Sequence, residues 1–299
     1  MGQFGERLAE VVKRKGPLCV GLDPRWESLP DCYRRLDPEF PWLPQVAEHV
    51  RRFCVHVLEL TSPYSGIVKL QAAFFELFGP PGLAAMQQLI HHARELGWLT
   101  ILDAKRGDVP STAAAYAQAA FTGCSINGQI FPIWNADALT VNPYLGDDAL
   151  TPFIEAASTQ GRGVFVLVRT SNPGAGCFQD LCCDGKPLYV HVAKVVERWN
   201  EPTVGPSGLG DIGAVVGATH PRELAELRRT FPRMWFLVPG YGAQGATAVE
   251  IRQTAFRTDG LGVIVNSSRS LVFPFHPDDP NWEQAIQSAA LHARNDLIG

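Results

Sequence analysis

WLTILDAKRGDVPSTAAAYAQAAF, residues 98–121, sets an apolar run, a charged turn and an alanine-rich segment side by side. The run from Trp98 to Leu102 is the kind of segment that a β-strand buries. It leads straight into Asp103, Lys105, Arg106 and Asp108, four charges within six positions. The sequence from Ser111 to Phe121 then favours helix, because alanine is the strongest helix former. The stretch predicts a strand, a polar turn and a helix. Ions gathered at the end of a buried strand need a reason beyond packing.

Seven more apolar runs follow the same plan. They are PLCVGLD (17–23), GIVKLQ (66–71), DALTVN (137–142), GVFVLVRTSN (163–172), IGAVVGAT (212–219), MWFLVPG (234–240) and LGVIVNSSR (261–269). Each is nearly continuous in Val, Ile and Leu rather than alternating, which marks parallel strands covered on both faces. Helical periodicity lies between them. In PGLAAMQQLIHHARELG (81–97), Leu83, Met86, Ile90, Ala93 and Leu96 recur at steps of three and four, and Gly97 marks the stop. PRELAELRRTF (221–231) and GATAVEIRQTAF (245–256) behave alike. Strand and helix alternating eight times predict an α/β fold, a (β/α)8 TIM barrel, filling 1–299 as a single catalytic domain. An open doubly wound sheet would show the same alternation, but no GxGxxG follows the first strand. The longest connection, Gly174–Asp211, predicts a loop–helix insertion after strand five, with the helix in LYVHVAKVVERWN (188–200).

A net charge of −4 and a pI near 6.1 give no basic surface for nucleic acid. No apolar run approaches the roughly 18 residues that span a bilayer, and the amphipathic opening segment lacks a signal peptide's apolar core. The seven cysteines show no metal-site spacing and no CxxC. A cytoplasmic protein without membrane contact is expected.

In a TIM barrel the working residues stand at the C-terminal strand ends. Here those ends carry Asp23, Lys69, Asp103 and Lys105, Asn142, Thr170 and Ser171, Pro239 and Gly240, and Ser268 and Arg269. VPGYGAQGA supplies Gly240, Gly242 and Gly245, whose backbone can approach an anion closely. Arg269, on the neighbouring strand, suits phosphate oxygens. At the opposite side Asp103 and Lys105 should face one way by strand alternation, with Lys69 close to both and Asp108 beyond the Arg106–Gly107 turn. A buried salt-bridge network could account for these charges, but such networks stabilise less than apolar packing. A lysine held among carboxylates stays protonated and can deliver a proton. No His/Asp/Glu cluster of metal-site type is legible, so chemistry without metal or cofactor is expected.

With these residues assembled, DAKRGD (103–108) resembles the DxKxxD signature of the orotidine 5'-phosphate decarboxylase suprafamily. GLDPR (21–25), VKLQAAFFE (68–76), VNPYLG (141–146), RTSNPGA (169–175), VPGYGAQGA (238–246) and VNSSR (265–269) extend the likeness to its longer bacterial subgroup. The resemblance implies decarboxylation of orotidine 5'-monophosphate to uridine 5'-monophosphate (UMP). It implies ribose contacts from Asp23 and Lys69, and an array of Asp103, Lys105 and Asp108 under the pyrimidine with Lys105 the proton donor. Ser171 would bind the pyrimidine, while Gln244, Ser268, Arg269 and the Pro239–Gly240 turn would hold the 5'-phosphate. A homodimer is also implied, in which Asp108 and Thr112 reach the neighbouring site. Leu70 and Ser270 depart from the subgroup, where proline and glycine are usual. Two alternatives remain at this point: a metal-dependent sugar-phosphate decarboxylase of the same suprafamily, and a non-catalytic nucleotide-binding barrel.

Overall fold

The computed structural model describes residues 3–242 and 247–299. All eight apolar runs form parallel strands of one closed barrel. They are β1 (Leu18–Leu22), β2 (Ile67–Gln71), β3 (Leu99–Arg106), β4 (Ala138–Val141), β5 (Gly163–Arg169), β6 (Ile212–Val216), β7 (Phe236–Val238) and β8 (Val263–Ser267). Each lies beside its sequence neighbours, and β1 closes the ring on β8.

Alternation along the strands sorts the side chains into two cores. Val68, Leu70, Leu139, Val164, Val166, Val263 and Val265 pack outward, into the layer shared with the helices. Cys19, Ile67, Ile101, Ala138, Phe165, Trp235 and Ile264 fill the inside of the barrel. Two residues further along each strand the inward positions are Gly21, Lys69, Asp103, Thr140, Leu167, Val215, Leu237 and Asn266. This layer, one residue from every strand, is the floor of the cavity described below.

The other end of the barrel is closed by the helix Phe4–Lys15. Its Phe4, Leu8, Val11 and Val12 join the inner core, with Phe4 edge-on to Phe165. Two buried carboxylates anchor it. Asp137 Oδ1 accepts from Arg7 (2.7 Å), Arg94 (2.7 Å) and Arg162 (2.6 Å), and its Oδ2 accepts from the Thr100 amide and hydroxyl. Burial alone would raise the Asp137 carboxyl; the arginines, Arg94 foremost, more than offset it and hold it low. Asp211 accepts the Gly5 amide at 2.7 Å but has no such set of cations, and burial pushes its carboxyl up to about 6.

A raised carboxyl pKa means that the folded state keeps a proton which the unfolded chain has released. Stability from this group is therefore lost as pH rises from about 4 to about 6. Asp211→Asn should remove that loss. Between pH 4 and pH 7 its stability relative to the unmutated protein should improve by about 3 kcal/mol at most, read by urea unfolding at both pH values. An unchanged difference between the two would contradict the assignment.

The helix expected in the long connection runs over Leu188–Asn200 and packs against β5 and β6. It is thus the barrel's own crossover helix, and the extra length lies in the segments leading into and out of it. The lead-in holds a small hairpin, Cys182–Cys183 against Lys186–Pro187, turning at Asp184-Gly185. A second hairpin, Cys124–Ile126 against Gln129–Phe131, turns at Asn127-Gly128 with both residues at positive φ, the turn geometry that hairpins favour. Cys19 and Cys54 are buried, the other five cysteines are exposed, and all seven are free. Among the described residues no helix is long and apolar enough to cross a membrane.

Candidate active site

The end of β3 departs from regular strand geometry. Leu102 pairs with Leu139 of β4, and the next pair is Arg106 with Val141. Three residues, Asp103 to Lys105, therefore face the single residue Thr140. This is a bulge, and it carries Lys105 to φ +47°, a region that side-chain-bearing residues rarely enter. Simple alternation predicts that Asp103 and Lys105 meet. They do meet, but because of the bulge rather than through a regular pleat.

Asp103 is the hub. Its Oδ2 accepts from Lys69 Nζ at 2.7 Å and Gln71 Nε2 at 3.1 Å. Its Oδ1 accepts from Lys105 Nζ at 2.7 Å and the Thr140 hydroxyl at 2.8 Å. Asp23 Oδ1 lies 3.7 Å from Lys69 Nζ. Burial would raise the Asp103 carboxyl, but Lys69 and then Lys105 hold it well below the carboxylate range. Burial likewise works against a charged Lys69; Asp103 and Asp23 outweigh it and keep that amine above its ordinary value. The two lysines differ in access: the Lys69 side chain is 5% exposed and that of Lys105 is 44% exposed.

These groups line one half of a cavity of about 1180 Å³ at the C-terminal strand ends. Leu167, Val215 and Leu237 floor the other half. The floor is polarised, ionic under β2–β4 and apolar under β5–β7. Gly21 allows the walls to close: a Cβ there would lie 2.0 Å from Ser268 Oγ and 2.7 Å from Asn266 Oδ1. Asp23 Oδ1 and Asn266 Oδ1 are buried at the cavity without hydrogen-bond partners.

Most of the residues expected from the sequence converge here. Asp23, Lys69, Asp103, Lys105, Ser171, Pro239, Gly240, Ser268 and Arg269 all line the cavity. Gly240 turns at φ +103°, and the following helix, Ala248–Ala255, begins with a capping box between Thr247 and Glu250. Gln244 and Gly245 lie outside the described residues. Ser270 is accommodated by a contact of 3.1 Å between its hydroxyl and that of Ser267. Asp108 and Thr112 do not line the cavity; the Asp108 carboxylate accepts from the Val109 amide (2.8 Å) at the start of the Pro110–Ala117 helix.

Sequence reasoning missed Gln71, Thr140 and Arg169. The first two were within reach, since each lies two residues from a polar strand-end residue on the same face. Arg169 is buried at the end of β5, where it donates to Gln179 (3.2 Å) and Asp180 (3.2 Å). Gln179 in turn accepts from the Thr170 amide and donates to its hydroxyl, which fixes the loop that carries Ser171. Nothing in the local pattern distinguishes Arg169 from a surface cation.

Residues 16–273 match the model of the orotidine 5'-phosphate decarboxylase / HUMPS family. The chain belongs to that family. An orotidine 5'-phosphate decarboxylase from Rhodopirellula baltica is 42% identical, with the whole of both chains covered. Another, from Roseiflexus castenholzii, is 40% identical over 98% of this chain and 96% of the relative. Among solved structures, the Leishmania donovani OMP decarboxylase superposes with a TM-score of 0.74 at 34% identity, covering 99% of this chain and 100% of that one. The UMP synthase of the same organism superposes at 0.75 with 36% identity, but the chain spans only 56% of that longer protein.

Proposed function

We infer that the chain converts orotidine 5'-monophosphate to UMP and CO2, with Lys105 as the acid that puts a proton where the carboxylate was. The C6–carboxylate bond breaks with its electron pair left on C6, CO2 departs, and a proton from Lys105 Nζ replaces it. Water then restores the ammonium. The pyrimidine ring gives the C6 carbanion little resonance help, so the uncatalysed barrier is very high and the enzyme must lower it by about 23 kcal/mol, the top of the range enzymes reach. A fixed ammonium beside C6 stabilises the charge as it develops, and needs no reorganisation to do so. Two unit charges about 4 Å apart interact by about 4 kcal/mol at an effective dielectric near 20, so a small error in placement is costly.

The ionic floor is the observation that carries this reading. Lys69 and Lys105 share Asp103, but they are not equivalent acids. Lys69 is buried and its amine is held above the ordinary range, which makes it a poor donor. Lys105 reaches into the cavity. Asp103 lies where the substrate carboxylate must approach, and its negative charge favours loss of that group. The oxygens of Asp23 and Asn266 that lack hydrogen-bond partners suit ribose hydroxyls. Arg269 and the Pro239–Gly240 turn, with Gln244 and Ser268, suit the 5'-phosphate, and Ser171 the pyrimidine edge. Phosphate binding far from C6 provides energy that holds the loops in the reactive arrangement.

Asp108 and Thr112 act, on this reading, in the site of a second copy. The segment that begins at Asp108 supports it: Val109, Tyr116, Ile126, Ile130 and Phe131 are all exposed apolar side chains, and such exposure marks an interface.

The test is direct. Protein treated with EDTA and added to orotidine 5'-monophosphate should bleach the substrate's absorbance and release an equal amount of CO2. Activity that disappears with chelation and returns with a divalent ion would favour a metal-dependent relative instead.

A further inference from the structure

We infer that Thr140 is a positioning residue for Lys105, an assignment that rests on the reading of Lys105 as the acid. One buried hydroxyl holds both ends of the Lys105 geometry. It accepts from the Lys105 backbone amide at 2.9 Å, and donates to Asp103 Oδ1 at 2.8 Å. That same carboxylate oxygen accepts from Lys105 Nζ at 2.7 Å. The chain of contacts runs from the lysine's own backbone, through Thr140 and Asp103, back to the lysine's tip.

The register explains why the tether is needed. Thr140 is the single β4 residue opposite the three bulged residues of β3, where the ladder of backbone hydrogen bonds is interrupted. The Lys105 amide therefore has no strand partner, and Lys105 sits at φ +47°. Without the hydroxyl, a part-buried amide would lose its side-chain partner and the Asp103 carboxylate would lose one donor. Thr140 itself is buried, and valine matches it in shape except for the hydroxyl. Only the hydroxyl is special.

Thr140→Val keeps the shape and removes both hydrogen bonds. It should lower kcat by about 30- to 100-fold, the loss that a misplacement near 1 Å produces. KM and the affinity for UMP should stay within about threefold, because Lys105 acts on the transition state and not on bound product. Thr140→Ser restores the hydroxyl and should recover kcat to within about fivefold of the unmutated enzyme. Lys105→Ala is assayed beside them, and UMP titration counts folded sites in every variant. If Thr140→Val keeps its kcat while Lys105→Ala is inactive, Thr140 does not position the lysine. If Thr140→Val loses kcat, UMP sites and melting temperature in proportion and serine fails to recover them, Thr140 is only scaffold and the inference is overturned. If Lys105→Ala itself stays active, the reading of Lys105 fails first and Thr140 loses its role with it.

Discussion

Lys105→Ala should lower kcat by about 10⁵-fold while leaving UMP binding nearly intact. The figure combines two losses: a positioned general acid is worth about 10² to 10⁴, and a preorganised charge at the reacting atom about 10² to 10³. Binding should survive because the residues proposed for the phosphate and ribose, Arg269, Ser268 and Asp23 among them, are other members of the cavity lining. Folding should survive as well. The Lys105 side chain is 44% exposed, and Asp103 keeps its hydrogen bonds from Lys69, Gln71 and Thr140. Initial rates followed by substrate absorbance, with UMP titration alongside, check both halves of the expectation. A residual rate above about one part in a hundred would remove Lys105 from the proton transfer.

Lys105→Ala and Asp108→Ala should each be inactive alone and active together. If Asp108 serves the neighbour's site, a mixed dimer places both defects in one site and leaves the other complete. Random assortment makes half of the dimers mixed, each with one working site of two. Co-expressed variants should thus regain about a quarter of full activity per subunit. Sites built from one chain alone would regain nothing. The experiment also reads the assembly, because a monomer cannot complement.

The barrel was legible because its eight strands are buried on both faces, and burial of that kind leaves continuous Val, Ile and Leu runs that local sequence shows directly. The candidate site residues at the strand ends were legible for the complementary reason: Asp23, Lys69 and Asp103 are polar where a strand otherwise calls for an apolar side chain. The bulge was not. Nothing in DAKRGD states that three residues will face one, since that register depends on β4, some thirty-five positions away. The hairpins at Asn127-Gly128 and Asp184-Gly185 carry plain turn dipeptides, but their strands are only two or three residues long, too short to show a period. Arg169 escaped for a third reason. Its partners, Gln179 and Asp180, come from a helical turn whose placement is set by the loop as a whole.

The anchoring of Phe4–Lys15 under the barrel has a consequence for synthesis. The Gly5 amide is bonded to Asp211, 206 positions later. The helix Phe4–Lys15 is therefore made well before the residue that anchors it, and its apolar face must wait in water until Asp211 has emerged. Long-range closure of this kind slows folding and exposes the nascent chain to aggregation. The four charged residues Glu10, Lys13, Arg14 and Lys15 in its later turns help to keep that waiting helix in solution.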